Sequence, residues 1–215
     1  MNQAAFIHPT CDISPRARIG SGTKIWNWTQ VREGAEIGRD NTIGQLVYIG
    51  VDVRIGDRCT VMPKASMDTG VEIGNDVFIG PFVVFTNDSS PRAWTRRDLS
   101  GVRWKVEDGA SLGSSVVVLP EVCIGHHALV AAHATVSRNV PPHAFVCGSP
   151  ARRAGWVCTE GHLMCLIEEV EDGALYACPD MGHEMVILNE WRRTTSFDER
   201  LISLRGARRR AASAT

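Results

Sequence analysis

An excess of charge of one sign and long apolar runs are missing from this 215-residue chain, and each absence narrows the functions to expect. Lys and Arg number 23 against 24 Asp and Glu, for a formal net charge of -1. No bulk electrostatic attraction therefore draws the main body to nucleic acid or to a membrane surface, although small, locally charged ligands remain open. No segment approaches the ~18 apolar residues a membrane span needs. The opening MNQAAFIHPT has no basic region leading into an apolar stretch, so a cytoplasmic location is expected, with neither nucleic acid nor membrane as partner. Without a secretory route, the glycosylation sequons at Asn27 and Asn87 carry no weight. The seven cysteines are an odd set, and disulfides are not expected.

What is present is a period of six. Apolar residues recur at that spacing from Ile7 through Ile13, Ile19, Ile25, Val31 and Ile37, and onward through Ile43, Ile49, Ile55, Val61, Met67, Ile73 and Ile79 to Phe85. The series resumes out of phase at Val106, Leu112, Val118, Ile124, Val130 and Val136. At 44% apolar composition such a run arises by chance on the order of once in ten million trials. Neither a helix nor an alternating strand has this period. A hexapeptide β-helix does: each unit is one short strand and a turn, and three units close a triangular coil.

Each unit reads as an inward aliphatic anchor, three corner residues, a small inward residue and an outward residue. Gly follows the anchor at positions such as 20, 38, 44, 50 and 56, and the small site holds residues such as Ala17, Thr23, Thr29, Ala35 and Ala65. Cys11, Cys59 and Cys123 are assigned to that small phase, where a thiol acts as a compact hydrophobe. Val47, Val53, Val71 and Val77 fit either an inward or an outward position, and outward placement would leave a flat apolar face for association. Residues 86–105 break the pattern with Arg92, Trp94, Arg96, Arg97 and Trp104, an extruded loop equipped for stacking and anion binding.

The motifs IHPTCDI, IGSGTKIW, REGAEIG, IGQLVYIG, VFIGPFVVFTNDSSPRAW, GASLG and VPPHAFVCGSPARRAGW resemble the hexapeptide acyltransferases. The closest likeness is to the enzymes that N-acetylate nucleotide-linked amino sugars of the 3-amino-hexose and 3-amino-hexuronate type. The resemblance implies an all-β fold, a left-handed parallel β-helix with the loop at 86–105 and a small ribbon-like appendage. It divides the chain into a β-helix acyltransferase domain at 1–155, a degenerate zinc-ribbon-like segment at 156–190, and a short helix with a disordered basic tail at 191–215. It also implies a homotrimer, with acyl-CoA lying between neighbouring prisms and the sugar nucleotide under the loop of an adjacent subunit.

Acetyl transfer to an amine needs a neutral nitrogen aimed at the thioester, a donor to the developing oxyanion and a route for the proton, with no covalent intermediate. By the same resemblance Asn87, in the FTN element, orients the nucleophile. No His lies in or beside the loop, which leaves His133 and Asp68, two corner positions where relatives carry other residues, as candidate bases. Gln45, Asn87, Arg92 and Trp94 are expected on the substrate side. Gly113, Ala131, Ala132, Arg152 and Arg153 are expected along acetyl-CoA, Arg being suited to its phosphates. An O-acetyltransferase and a non-catalytic trimeric scaffold are alternatives. A zinc hydratase using His126, His127 and His133 is disfavoured because no His lies between His8 and His126.

The tail holds two similar knuckles, WVCTEGHLM and YACPDMGHEM. Relatives end in zinc ribbons with paired cysteines, but here Glu160 and Met181 stand where second cysteines would be. Cys158, His162, Cys178 and His183 remain as a zinc-competent set, with Cys165 in reserve. Residues 197–210 suggest a short helix with Leu201 and Leu204 on one side.

Overall fold

The computed structural model describes residues 4–88, 90–95 and 101–192. Strands of two to four residues stack in parallel into three sheets, the faces of a triangular prism. The first face runs from Phe6–Ile7 to Ala144–Cys147, the second from Asp12–Ile13 to Thr135–Val136, and the third from Arg18–Ile19 to Cys123–Ile124. Lys24 pairs with Thr42, Gln30 with Tyr48 and Glu36 with Arg54, so each strand lies on the one a full coil later. This all-β stack of about eight turns is the β-helix that the sixfold period predicts, and it is consistent with a left-handed winding.

The anchors fill the prism. From Ile25 onward every one is buried, whereas Ile7 is 40% exposed and Ile13 and Ile19 are only partly covered, because no coil precedes theirs. Val47, Val53, Val71 and Val77 are all buried, so these positions point inward and make no flat apolar outer face. Cys123 departs from its expected phase: it sits one residue before Ile124, pairs with Lys105 and is half-buried on the outside of the third face. Cys59 does lie inside, where its thiol donates to the Gly74 carbonyl at 3.0 Å and burial pushes its pKa up to about 11.

Three residues after an anchor the backbone turns left-handed. Trp28, Asp40, Leu46, Asp52, Arg58 and Lys64 have φ between 55° and 65°, and Gly22, Gly34, Gly70 and Gly109 occupy the same phase. Side chains in this region are strained. The offset is an inter-coil hydrogen bond: the turned N–H groups of Leu46 and Lys64 each donate at 3.0 Å to the carbonyls of Asn27 and Gln45 one coil earlier. Glycine is needed elsewhere, directly after the anchor, because coils approach closely there. A Cβ on Gly38 would stand 2.6 Å from the Gly56 carbonyl oxygen, and one on Gly44 would stand 2.7 Å from Pro63 N.

Buried polar groups serve the same corners. Thr23 Oγ1 donates to Gly38 O and Thr29 Oγ1 to Gly44 O, each at 2.7 Å, while Asn41 donates to Gly56 O and accepts from Cys59 N.

The interruption leaves the second face after Phe85 and rejoins the third at Trp104–Val106. Trp104 therefore belongs to the coil rather than the loop: it is 1% exposed and its indole donates to Leu119 O at 2.9 Å. Arg96 and Arg97 lie outside the described residues, as do residues 197–210. At the far end, strand Arg152–Trp156 folds back antiparallel on Ala144–Cys147. A three-stranded antiparallel sheet follows, Cys165–Val170, Gly173–Ala177 and Glu184–Leu188, then the short helix Asn189–Arg192. No helix among the described residues is long and apolar enough to cross a membrane.

Candidate functional site

Two corners of the prism flank the second face, and the expected site residues divide between them. At the corner between the second and third faces, Asp68 follows the anchor Met67 and Thr86 follows Phe85. Because Ser66 pairs with Val84, Asp68 and Thr86 stand on adjacent coils, and Asn87, half-buried, is one residue further along. Asp68 Oδ1 accepts from Thr69 N at 2.8 Å. Thr86 holds the loop root, its N–H donating to Val118 O at 3.0 Å and its hydroxyl to the same oxygen at 3.2 Å. Beyond Asn87 the chain leaves the coil. Arg92, which donates to Pro91 O, is exposed, and Trp94 is 83% exposed. Asn87, Asp68, Arg92 and Trp94 thus share one corner and the loop that springs from it.

The corner between the first and second faces carries the others. Gln45, Gly113, Ala131, Ala132 and His133 occupy corner positions after Ile43, Leu112 and Val130, well separated from Asn87 by the width of the second face. Gly113 is set tightly against the next coil, a Cβ there falling 2.5 Å from Ala132 N. His133 is exposed, left-handed at φ 60°, and its N–H donates to Ser114 O at 2.8 Å. The same corner exposes Trp26, Trp28, Leu46 and Phe82, with the Lys64 ammonium 5.0 Å from the Phe82 ring centroid. This aromatic column escaped the sequence reading, whose period of six tracks inward anchors and is silent on which corner residues cluster in space.

The two arginines of SPARR separate. Arg152 is half-buried and donates to Ala151 O. Arg153 is buried at 4% exposure, lies 4.5 Å from the Trp156 ring centroid, and donates to Trp191 O and Arg192 O at 3.0 Å each. Its guanidinium is engaged in fastening the tail.

The three histidines that the disfavoured zinc hydratase would use do not all meet. His126 and His127 lie at the corner between the third and first faces and pack with His143, ring centroids 5.0 and 5.1 Å away, while His133 stands at another corner. His143 Nδ1 is 3.0 Å from Val157 O, and burial, with His126 and His127 alongside, lowers its pKa to about 4. In the tail, Cys158, His162 and Cys178 converge, their donor atoms all within 4.8 Å of one another; His183 is exposed and outside that group.

The family profile "Bacterial transferase hexapeptide (six repeats)" matches residues 16–50 and 52–87, the same coils whose anchors fill the prism. Over those two stretches the chain is similar to that family. Among curated relatives, the Schizosaccharomyces pombe protein C18B11.09c, provisionally named an acetyltransferase, is 34% identical over 51% of this chain and 52% of its own length. Serine acetyltransferase 4 of Arabidopsis thaliana is 31% identical over 68% of this chain and 30% of its own. The chain thus spans about half of the first and under a third of the second. Among solved structures, a mutant perosamine N-acetyltransferase from Caulobacter crescentus, in complex with CoA and GDP-perosamine, is 23% identical over 72% of this chain and 58% of its own, with a TM-score of 0.48. A likeness at that score carries no argument about chemistry.

Proposed function

We propose that this β-helical protein is an acetyl-CoA-dependent N-acetyltransferase acting on the amino group of a nucleotide-linked amino sugar, by direct transfer. The relatives named as acetyltransferases support the reaction class. The sugar nucleotide rests on the FTN and SPAR motifs. The observation that carries the reading is the position of Asn87 at the root of a loop that interrupts an otherwise regular stack, with Asp68 on the adjoining coil.

In the reaction the neutral amine attacks the thioester carbonyl carbon, the C–N bond forms as the carbonyl becomes an oxyanion, and the C–S bond then breaks to release CoA. The amine's proton passes to Asp68 or, by way of solvent, to the departing sulfur. Asn87 orients the amine through its side-chain amide, with Asp68 available to take the proton. Arg92 and Trp94 meet the sugar nucleotide, by anion pairing and stacking. Gly113, Ala131 and Ala132 face the pantetheine arm, with Gln45 and His133 on the same corner and Arg152 towards the phosphates.

A homotrimer joins the two halves: packing the aromatic corner of one copy beside the loop corner of the next places both sets of residues in one cleft. The exposed Trp26, Trp28 and Phe82 support such an edge, and the cytosol is the compartment proposed.

Release of free CoA thiol from acetyl-CoA, measured across a panel of amino-sugar nucleotides, tests the proposal. Asn87→Ala is expected to keep the assembly and lower turnover at least tenfold; unchanged kinetics removes Asn87 from the mechanism. Arg152→Ala is expected to raise KM for acetyl-CoA alone, and a shift in the sugar KM instead would reverse the groove's orientation.

A further inference from the structure

The tail is not needed to complete the coil, yet it gathers two buried thiols and an imidazole. Cys158 and Cys178 are each 1% exposed, and neither sulfur makes a hydrogen bond among the described residues. His162 Nδ1 is buried with no hydrogen-bond partner. A buried ring nitrogen in that state loses its hydration with nothing in return, unless something absent from the polypeptide supplies a bond.

Each sulfur sits in a short loop folded about its own cysteine. Cys158 N donates to His162 O at 3.0 Å and Gly161 N to Cys158 O at 2.9 Å. Cys178 N donates to His183 O at 2.7 Å and Gly182 N to Cys178 O at 2.9 Å, and both glycines are left-handed, at φ 80° and 67°. The two loops bring three donor atoms within 4.8 Å of one another. A tetrahedral zinc with ~2.3 Å bonds to sulfur sets its sulfurs about 3.8 Å apart, so a contraction of about an ångström or less seats the ion.

We propose that Cys158, His162 and Cys178 bind one zinc ion, with solvent in the fourth position. Two thiolates and an imidazole are the donor set zinc favours, and binding releases the thiol protons. The site is structural in its consequence. Cys158 follows the strand Arg152–Trp156, which pairs with the last coil, and Cys178 follows Gly173–Ala177 in the three-stranded sheet, so one ion ties the appendage to the coil end.

The test uses the full chain, reduced, stripped with a chelator and titrated with zinc alone, then with cobalt(II) in its place. One equivalent per chain is expected, and the cobalt form should show thiolate-to-metal charge-transfer absorption. The double variant Cys158→Ser/Cys178→Ser is expected to hold under a tenth of an equivalent with the far-ultraviolet spectrum of the coil unchanged, while His183→Ala keeps the full equivalent. Wild-type protein that binds no ion, cobalt that binds without the thiolate band, or a double variant that binds like wild type each overturns the site. Loss of binding in His183→Ala overturns the three-residue assignment. None of these readouts depends on acetyl transfer.

Discussion

Two corners of the same prism are built on one backbone and face different worlds. Between the third and first faces, neighbouring coils are laced by ion pairs and carboxylates: Arg39 with Asp57 at 3.1 Å, Arg58 with Asp76 at 2.6 Å, and Asp108 accepting from Asn75 N at 2.7 Å. The adjoining third face alternates in charge, Arg18, Glu36, Arg54, Glu72 and Lys105. Between the first and second faces the equivalent positions carry Trp26, Trp28, Leu46 and Phe82. The repeat thus fixes where side chains stand but leaves each column of corners free to be written for water or for a partner. One edge is charged, and the other exposes apolar rings that the proposed trimer would cover.

The strongest break of that comparison is Trp28→Asp combined with Phe82→Asp, which should convert the proposed trimer to monomers in sedimentation velocity while circular dichroism stays that of the coil; a wild-type chain that sediments as a monomer removes the proposed edge. The matching double change on the charged edge, Arg58→Ala with Asp76→Ala, should leave both assembly and Tm as they were, since exposed ion pairs contribute little. If both edges respond alike, the contrast is decorative.

Backbone spacing, by contrast, should be common to the two edges. Gly38→Val on the charged edge and Gly44→Val on the aromatic one both force a Cβ against the next coil, and each should lower stability by about 1–3 kcal/mol in denaturant unfolding. Unequal losses would mean that one corner can open.

A smaller effect separates the edges by pH. His143 sits below His126 and His127 with its pKa lowered to about 4 against an ordinary 6.5, first by burial and then by those two rings. The unfolded chain therefore binds a proton that the folded chain refuses. Its contribution is fully present above about pH 6.5 and is lost as pH falls from there through about 4, so Tm should decline across that window. His143→Gln should flatten the decline, and a wild-type profile as flat as the variant's would remove His143 as its cause.

Fold was legible because burial imposes a period: an anchor such as Ile49 or Val118 has no alternative to the prism axis. The candidate site was legible only as separate motifs. Asn87 could be singled out from FTN, but that Asp68 stands on the adjoining coil and His133 across the second face depends on register, which spacing fixes only once the loop's true length is known. Trp104 shows the difficulty: composition made it a loop residue, yet pairing with Val71 draws it into the core. Arg153 shows another, because nothing in SPARR distinguishes a guanidinium facing solvent from one clamped on the carbonyls of Trp191 and Arg192. Cys158 and Cys178 were visible as knuckles, but their convergence with His162 to the exclusion of His183 is decided by tertiary packing.

Across the interruption, partners that are 18 positions apart in the coils before it are 33 apart, yet Val71, Phe78 and Val84 meet Trp104, Ser111 and Val117 in unbroken alignment. The scaffold is indifferent to what is spliced in at that edge. Doubling such an insert adds only about 0.6 kcal/mol of closure entropy, so new recognition segments can be exchanged there like cartridges while the staves of the barrel stay in place.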